Sequence, residues 1–425
     1  MNSPQCLQRK RLHRIFPVFI SLLLGLMTLT NSSPVVAQQR RATSPKRPQA
    51  QTPSPAFAQL QTQADQAREA GNLDEAIKLY RKGVTLRANW SEGWWYLATL
   101  LYEKDQYPEA ARAFKQVTVL TPKVGPPLVM LGLCEFRLND YDNALAHLRQ
   151  GRQLGIGDNQ DLSKAMRYHE ACLMLLKGDF ENAEGIFSGL SYDNVNSENL
   201  IIAHGLALLR IPQMPNQIDP AHRDRELIRR AGYAEHLIAQ KNMSDAQQEY
   251  ERLVADYPKS PNVQYAWGRF LYNQRNEDGA VVAFKREIEN SPNHALARLQ
   301  IAWIRLKDKD AAGGLPYAEE AVRLYPQLPL GHYILGRLLF ETGENARALV
   351  ELEAAQKQAP NEPKIYFSLS RAYAKAGRKA DADRARETFA RLNKVAEDAA
   401  AARGFKTLDE DKEGSEKSKP NSPQP

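Results

Sequence analysis

The sequence predicts an all-α fold: a solenoid of helical hairpins with about nine repeats, one of them degenerate, and disordered ends. Three observations carry this. Pro258, Pro292, Pro326 and Pro360 fall 34 residues apart. Within each interval a small residue, Gly268, Ala302, Gly336 or Ser370, opens a gap between two helical patterns, and a second small series, Ala280, Gly314, Ala348 and Ala382, keeps the same period. Bulky Trp267, Ile301, Leu335 and Leu369 stand one position before the first series, so each unit reads as an amphipathic helix, a short turn and a second amphipathic helix ended by proline. One hairpin alone cannot bury both its faces, so neighbours must stack.

The chain opens on residues 1–37, with Arg9, Lys10, Arg11 and Arg14, no acid, an apolar stretch from Ile15 to Leu29 and a small-residue site Val35-Val36-Ala37. This is the pattern of a secretory signal cleaved after Ala37. The rival, an uncleaved anchor, would rest on a stretch that is shorter than the ~20 residues a spanning helix needs and that contains Pro17. Cys6 precedes the apolar stretch, so no lipid-acceptor cysteine follows it. The expectation is a product exported to the periplasm or secreted, with no stable membrane insertion after cleavage. Residues 38–56, rich in Gln, Arg, Pro, Ser and Thr, lack periodic apolar positions and read as a disordered leader.

Repeats then run from 57 to 395. The clearest, 91–124, has Trp94, Leu97, Ala98 and Leu101 on its first helix and Ala110, Phe114, Val117 and Pro122 on its second. The unit before it carries Ala64, Ala76, Tyr80 and Gly83, and the unit after it Leu131, Gly132, Tyr141, Ala144 and Leu148. A weaker unit has Ala171, Phe180, Ala183 and Phe187, and Ala234, Ala246, Tyr250 and Pro258 open a second, more regular run. This arrangement resembles the tetratricopeptide repeat family, whose 34-residue unit the residues reproduce. The resemblance implies a right-handed superhelix with a concave groove that holds a protein or peptide.

Two departures divide the run into an N-terminal array, 57–190, and a C-terminal array with a capping helix, 227–395. The unit at 164–190 is about five residues out of phase, and phase returns only after 191–226, a degenerate repeat. That segment has one helical pattern, Asn199 to Ile211, followed by PQMPNQIDPAHRD, whose three prolines forbid a regular second helix. It is either a joint between the arrays or a functional clamp. At the far end RARETFARLNKVAEDAAAARG is charged on one face, as a solenoid cap should be, and its alanine-rich end could instead meet a partner helix. Residues 396–425 are read as the helix end and a disordered tail, solvated from about Lys406.

Composition is that of a folded protein, 43% hydrophobic and 25% charged. The net charge of +7 suggests nucleic acid only until it is located: the two N-terminal segments hold eight basic residues and no acid, and without them the chain stands at −1. A near-neutral repeat body has no footprint for phosphate backbones, so no nucleic-acid partner is expected. After cleavage only Cys134 and Cys172 remain, on helices predicted to be neighbours, where they either pair or serve as small buried side chains. No HExxH, P-loop or G-x-S-x-G context occurs, Gly155-Gly157 lacks the further glycines of a dinucleotide site, and no Cys or His pair has zinc-ligand spacing. The chain is therefore expected to be no enzyme and to hold no metal or cofactor. The sole suggestive pair, for a rival enzymatic role, is His169-Glu170.

More informative is a second stripe on the first helix of each unit, at i, i+4 and i+7. In the C-terminal array it reads Tyr265, Arg269 and Tyr272; Leu299, Trp303 and Leu306; Tyr333, Arg337 and Phe340; Phe367, Arg371 and Ala374. In the N-terminal array it reads Trp95, Thr99 and Tyr102, then Val129, Leu133 and Phe136, with little charge. Aromatic and arginine residues alternating along a groove suit an extended or helical peptide, rings supplying area and guanidinium groups pairing with carboxylates. The candidate groove residues are thus Trp95, Tyr102, Phe136, Tyr265, Arg269, Tyr272, Trp303, Tyr333, Arg337, Phe340, Phe367 and Arg371. The competing explanation is that these rings pack against the next unit and the arginines only cover apolar surface. The function expected is a non-catalytic scaffold that binds a protein or peptide segment; its rival is a structural or assembly subunit of an envelope complex, using convex faces and the 191–226 loop.

Overall fold

The computed structural model describes residues 55–219 and 221–402. The signal segment, nearly all of the leader and the tail from 403 lie outside these residues. Among the described residues there are nineteen α-helices and no strand, and no helix is long and apolar enough to cross a membrane.

They fall into two compact units that divide between Asp193 and Asn194. Unit 1 is four hairpins: α1 (Pro55–Glu69) with α2 (Leu73–Leu86), α3 (Ser91–Glu103) with α4 (Tyr107–Leu120), α5 (Gly125–Arg137) with α6 (Tyr141–Leu154), and α7 (Gln160–Leu176) with α8 (Phe180–Tyr192). Unit 2 begins with a single helix, α9 (Glu198–Leu208), then pairs α10 (Arg225–Ala239) with α11 (Met243–Asp256) and α12 (Val263–Asn273) with α13 (Glu277–Asn290). It continues with α14 (Ala295–Lys307) and α15 (Ala311–Leu324), α16 (Pro329–Glu341) and α17 (Asn345–Gln358), and α18 (Pro363–Lys375) and α19 (Lys379–Ala402). The degenerate segment therefore contributes its helix to unit 2. The first helix takes in Pro55 and Ala56, which the sequence places in the leader.

Local signals set the ends. Proline stands in the first turn of α4, α5, α16 and α18, where a missing N–H costs nothing. Asn276 and Asp310 cap α13 and α15 by accepting the N–H of Gly279 at 3.0 Å and of Gly313 at 2.9 Å. Every turn from first to second helix contains one left-handed residue: Gly71, Asp105, Asn139, Gly178, Lys241, Arg275, Lys309, Gly343 and Gly377. That conformation lets the turn bond back to the last carbonyls of the first helix, as Gln106 N–H does to Leu101 at 2.9 Å.

Packing follows the small series. A Cβ on Gly268 would lie 2.6 Å from the Phe284 ring, and one on Gly336 would lie 2.7 Å from Leu352 Cγ. Each small residue of a first helix thus receives a large buried side chain of its own second helix, and the same holds for Gly132 and Leu148 in unit 1. The phase slip has a simple form: α7 has 17 residues where α3 and α5 have 13, so one added turn displaces everything after it.

The helix expected over 199–211 stops at Leu208, because Arg210 adopts φ 58° and turns the chain. The proline-rich stretch after it is packed, with Met214, Pro215 and Ile218 buried around a short 3-10 turn at Pro215–Gln217. Across this loop α9 lies along α10. Gly205 and Gly232 meet at the crossing: a Cβ on either would fall 1.8 Å from a carbonyl oxygen of the other helix. Only glycine permits that approach.

Cys134 and Cys172 are both free and buried. Burial pushes both thiols up to about 12, so they stay protonated and act as small core side chains.

Candidate functional site

First helices lie against first helices: α5 against α7, α14 against α16 and α16 against α18. Side chains one register apart therefore meet, and the second stripe becomes a ladder within each unit.

In unit 2 the rungs are rings carrying cations. Trp303 donates its indole N–H to Tyr272 Oη at 3.2 Å, and Lys307 Nζ donates to the same oxygen at 3.3 Å while standing 5.0 Å from the ring centre. Lys307 also pairs with Glu277 at 2.6 Å, and these hydrogen bonds raise its pKa. Arg337 donates from Nη1 to Tyr333 Oη at 3.2 Å, and Lys364 Nζ stands 5.7 Å from the Tyr333 ring. Arg371 lies 4.9 Å above Phe340 and approaches Glu341 at 3.7 Å. A cation over a ring gains electrostatic attraction while keeping N–H groups for another partner. Arg337 holds one such group in reserve: its Nε is buried and has no hydrogen-bond partner.

Burial sorts the predicted residues. Tyr265 and Tyr333 are closed off by packing, Tyr265 against Phe284 and His294 and Tyr333 among Leu299, Ile334 and Ile365. These two serve the stacking rather than an open surface. Arg269, Tyr272, Trp303, Arg337 and Phe340 are half-buried, while Phe367 and Arg371 are exposed. Sequence reasoning missed Lys307 and Lys364. Both were within reach of the pattern, since Lys364 lies three residues before Phe367, on the same face, and Lys307 follows Leu306 directly.

In unit 1 the rungs are mostly ring on ring. Trp95 meets Phe114 edge-on at 5.5 Å, Tyr102 meets Tyr107 at 5.3 Å, and Phe136 sits between Tyr141 at 5.7 Å and His169 at 4.6 Å. The stripe nonetheless carries more charge than the sequence suggests. Arg137 hydrogen-bonds Tyr102 and lies 5.8 Å from the Tyr107 ring. Arg68, 34 residues before Tyr102, stacks 4.3 Å from Tyr96 and donates to Tyr80 Oη at 3.0 Å. Its Nη1 is buried without a partner. The period itself could have found Arg68.

His169 and Glu170 turn to different neighbours. The imidazole bonds the Ala165 carbonyl at 2.7 Å beside Phe136, and burial holds its pKa down to about 4. Glu170 is buried against α6, where Arg152 and Arg149 reach it at 3.2 and 3.4 Å. They form no acid–base pair. Among the described residues no group of three or more His, Cys, Asp or Glu side chains could hold a metal ion.

A family model for the tetratricopeptide repeat matches residues 62–124, 97–161, 234–295, 265–329 and 333–385. The matches leave 162–233 uncovered, the stretch with most of the lengthened α7, then α8, α9 and the loop. Among curated proteins, anaphase-promoting complex subunit 3 of Schizosaccharomyces pombe is 25% identical over 317 residues, which are 72% of this chain and 44% of that protein. The chain thus spans less than half of that relative. Among solved structures, MamA from Desulfovibrio magneticus RS-1 covers 41% of this chain and 96% of its own at 20% identity and TM-score 0.35. The Cut9–Hcn1 hetero-tetramer of the APC/C gives 80% and 87% at 12% identity and TM-score 0.35. YrrB, a TPR protein with an unusual peptide-binding site, gives 42% and 92% at 16% identity and TM-score 0.35.

Proposed function

Because the chain belongs to the tetratricopeptide repeat family, we propose that it is a non-catalytic scaffold that holds a protein or peptide segment against the first-helix stripe of unit 2. The observation that carries this is the unspent donor of Arg337, set among Tyr333, Phe340 and Arg371. A segment with an acidic side chain or a free C-terminus would supply the missing acceptor, and a neighbouring apolar side chain would cover Trp303 and Phe340. A few such anchors support a complex in the micromolar range, about −8 kcal/mol. The curated relative is a subunit of a complex, which favours as a second reading an assembly subunit that packs broadly through convex faces and the 191–226 loop.

Affinity capture separates the two, with the chain from Gln38 as bait beside a variant carrying Trp303→Ala, Arg337→Ala and Arg371→Ala. Under stripe binding the variant loses the partner; under broad packing both forms retain it. Export to the periplasm or the medium belongs to the same proposal, supported by the basic and apolar segments before Ala37. N-terminal sequencing of protein from the native host should begin at Gln38; an intact Met1 would overturn export by cleavage.

A further inference from the structure

Tyr265, Leu299, Tyr333 and Phe367 occupy one register position, 34 residues apart. The first three are 5%, 2% and 5% exposed, whereas Phe367 is 48% exposed. The difference comes from the neighbouring hairpin. Tyr265 packs with Leu296, Ala297 and Ile301 of α14, Leu299 faces Gly331 of α16, and Tyr333 packs with Ile365 of α18. Each is covered by the first helix of the next hairpin. Among the described residues no further hairpin comes after that of Phe367, and its ring stacks on Phe389 of its own hairpin, at 5.6 Å. The array therefore ends on a face shaped by its register to receive one more helix.

The last helix is also too long for a cap. The second helices α11, α13, α15 and α17 have 14 residues each, and α19 has 24. By register its packed part ends at Leu392, and Asn393–Ala402 continue past it, a reach of about 15 Å at the rise of an α-helix. On this extension Val395 is 60% exposed, one turn from Leu392. Glu397 and Asp398 are exposed beside it. The open face carries the opposite sign, with Arg371 and Lys375 exposed on the same side of α18 as Phe367.

We propose that two copies of this chain associate end to end, the extension of α19 from one lying across the Phe367 and Phe389 face of the other, in the place of a first helix. The contact is self-complementary, since each copy gives a helix and receives one, so it closes as a two-fold dimer. The chain's own tail makes a poor occupant: beyond Ala402 its only bulky apolar residues are Phe405 and Leu408, too few for the apolar stripe of a packed helix.

The test is sedimentation velocity of the chain from Gln38 across about 1 to 100 µM, the range in which so small an interface associates. The wild type should pass from monomer to dimer. Val395→Asp should weaken the dimer at least about tenfold, with helicity by circular dichroism unchanged because the side chain is exposed. Should that variant lose helicity, Glu397→Lys with Asp398→Lys replaces it and should weaken the dimer likewise. A wild type that stays monomeric throughout, or a dimer that survives these changes, would overturn the proposal. Neither variant touches the stripe from Tyr272 to Phe340, so capture of a partner there is expected to persist.

Discussion

Unit 1 and unit 2 depart from the same period by opposite means. Unit 1 keeps its hairpins and absorbs surplus sequence as one extra turn of α7, so that the left-handed turn residue moves from the expected 173 to Gly178 and the geometry of the turn survives. Unit 2 keeps its period without a slip from Lys241 to Gly377 but opens on an unpaired helix, joined to α10 by a 16-residue loop and a glycine crossing. A surplus placed inside a helix costs only length. A surplus placed between helices must be compensated by closer packing. The stripes differ in the same sense: ring against ring in unit 1, ring under cation over the regular repeats of unit 2.

The sharpest way to break this comparison is at the glycines. Gly232→Ala sets a methyl group 1.8 Å from the Ile201 carbonyl, where only backbone can yield, and should cost about 3 kcal/mol or more. Gly132→Ala meets the flexible Leu148 side chain at 2.9 Å and should cost about 1 kcal/mol. Urea denaturation of both variants measures the gap; equal losses would remove the distinction between crossing and hairpin.

Next comes Glu287, buried on α13 at a register position filled by Leu253 and Ala321 in neighbouring repeats. Its carboxylate accepts the N–H groups of Asn262 at 2.9 Å and Tyr265 at 3.2 Å, capping α12, whose own N-cap Asn262 is left-handed and donates no cap of its own. Asn262 in turn donates from Nδ2 to the Leu209 carbonyl at 2.9 Å, which ties the start of the regular run to the end of α9. Glu287→Ala orphans these donors and should cost about 2 kcal/mol, with amide exchange rising first at Asn262 and Tyr265. A variant as stable as wild type would show that the cap is dispensable.

The smallest effect is in pH. His169 in unit 1 and His294 in unit 2 both have pKa values held down to about 4, by burial first, and for His294 by Arg210 as well. The unfolded chain takes up protons from about 6.5, and the folded chain does not until about 4. Both units should therefore hold full stability above that window and lose on the order of 1–3 kcal/mol as pH falls through it. His169→Phe should flatten the pH dependence of melting in unit 1. His294→Asn should do so in unit 2 while keeping the cap that His294 gives Ala297 at 3.0 Å. An unchanged slope in either variant would assign the acid sensitivity to other groups.

Much of the fold was legible because stacking imposes a period on residue size. Gly268, Ala302, Gly336 and Ser370 have to be small wherever they face Phe284 or Leu352 and their equivalents, so the series marks the hairpins directly. The slip before Gly178 was visible as a change of phase, but its form was not, since an added helical turn and an added loop displace the period alike. The pairing of α9 with α10 was hidden by the prolines between them, which break a helix without preventing two helices from meeting across the break. In the stripe, Trp303, Arg337 and Arg371 were found by spacing, whereas the burial of Tyr265 and Tyr333 depends on how closely first helices approach, which spacing does not encode. Lys307 and Lys364 were missed because long side chains reach rings from beyond the positions that a strict triplet samples.

In α9 every residue from Leu200 to Leu208 is buried, so it has no polar side to turn to water. During synthesis it leaves the ribosome before the helix that shields it. At the usual pace of translation the 31 residues from Leu209 to Ala239 take about 2–6 s to emerge. For those seconds a nine-residue greasy segment is the stickiest part of the nascent chain, a ready client for holdase chaperones and a seed for aggregation when they are scarce. The yield of folded protein in the cell should thus be set by the birth order of two helices more than by the stability of the finished array.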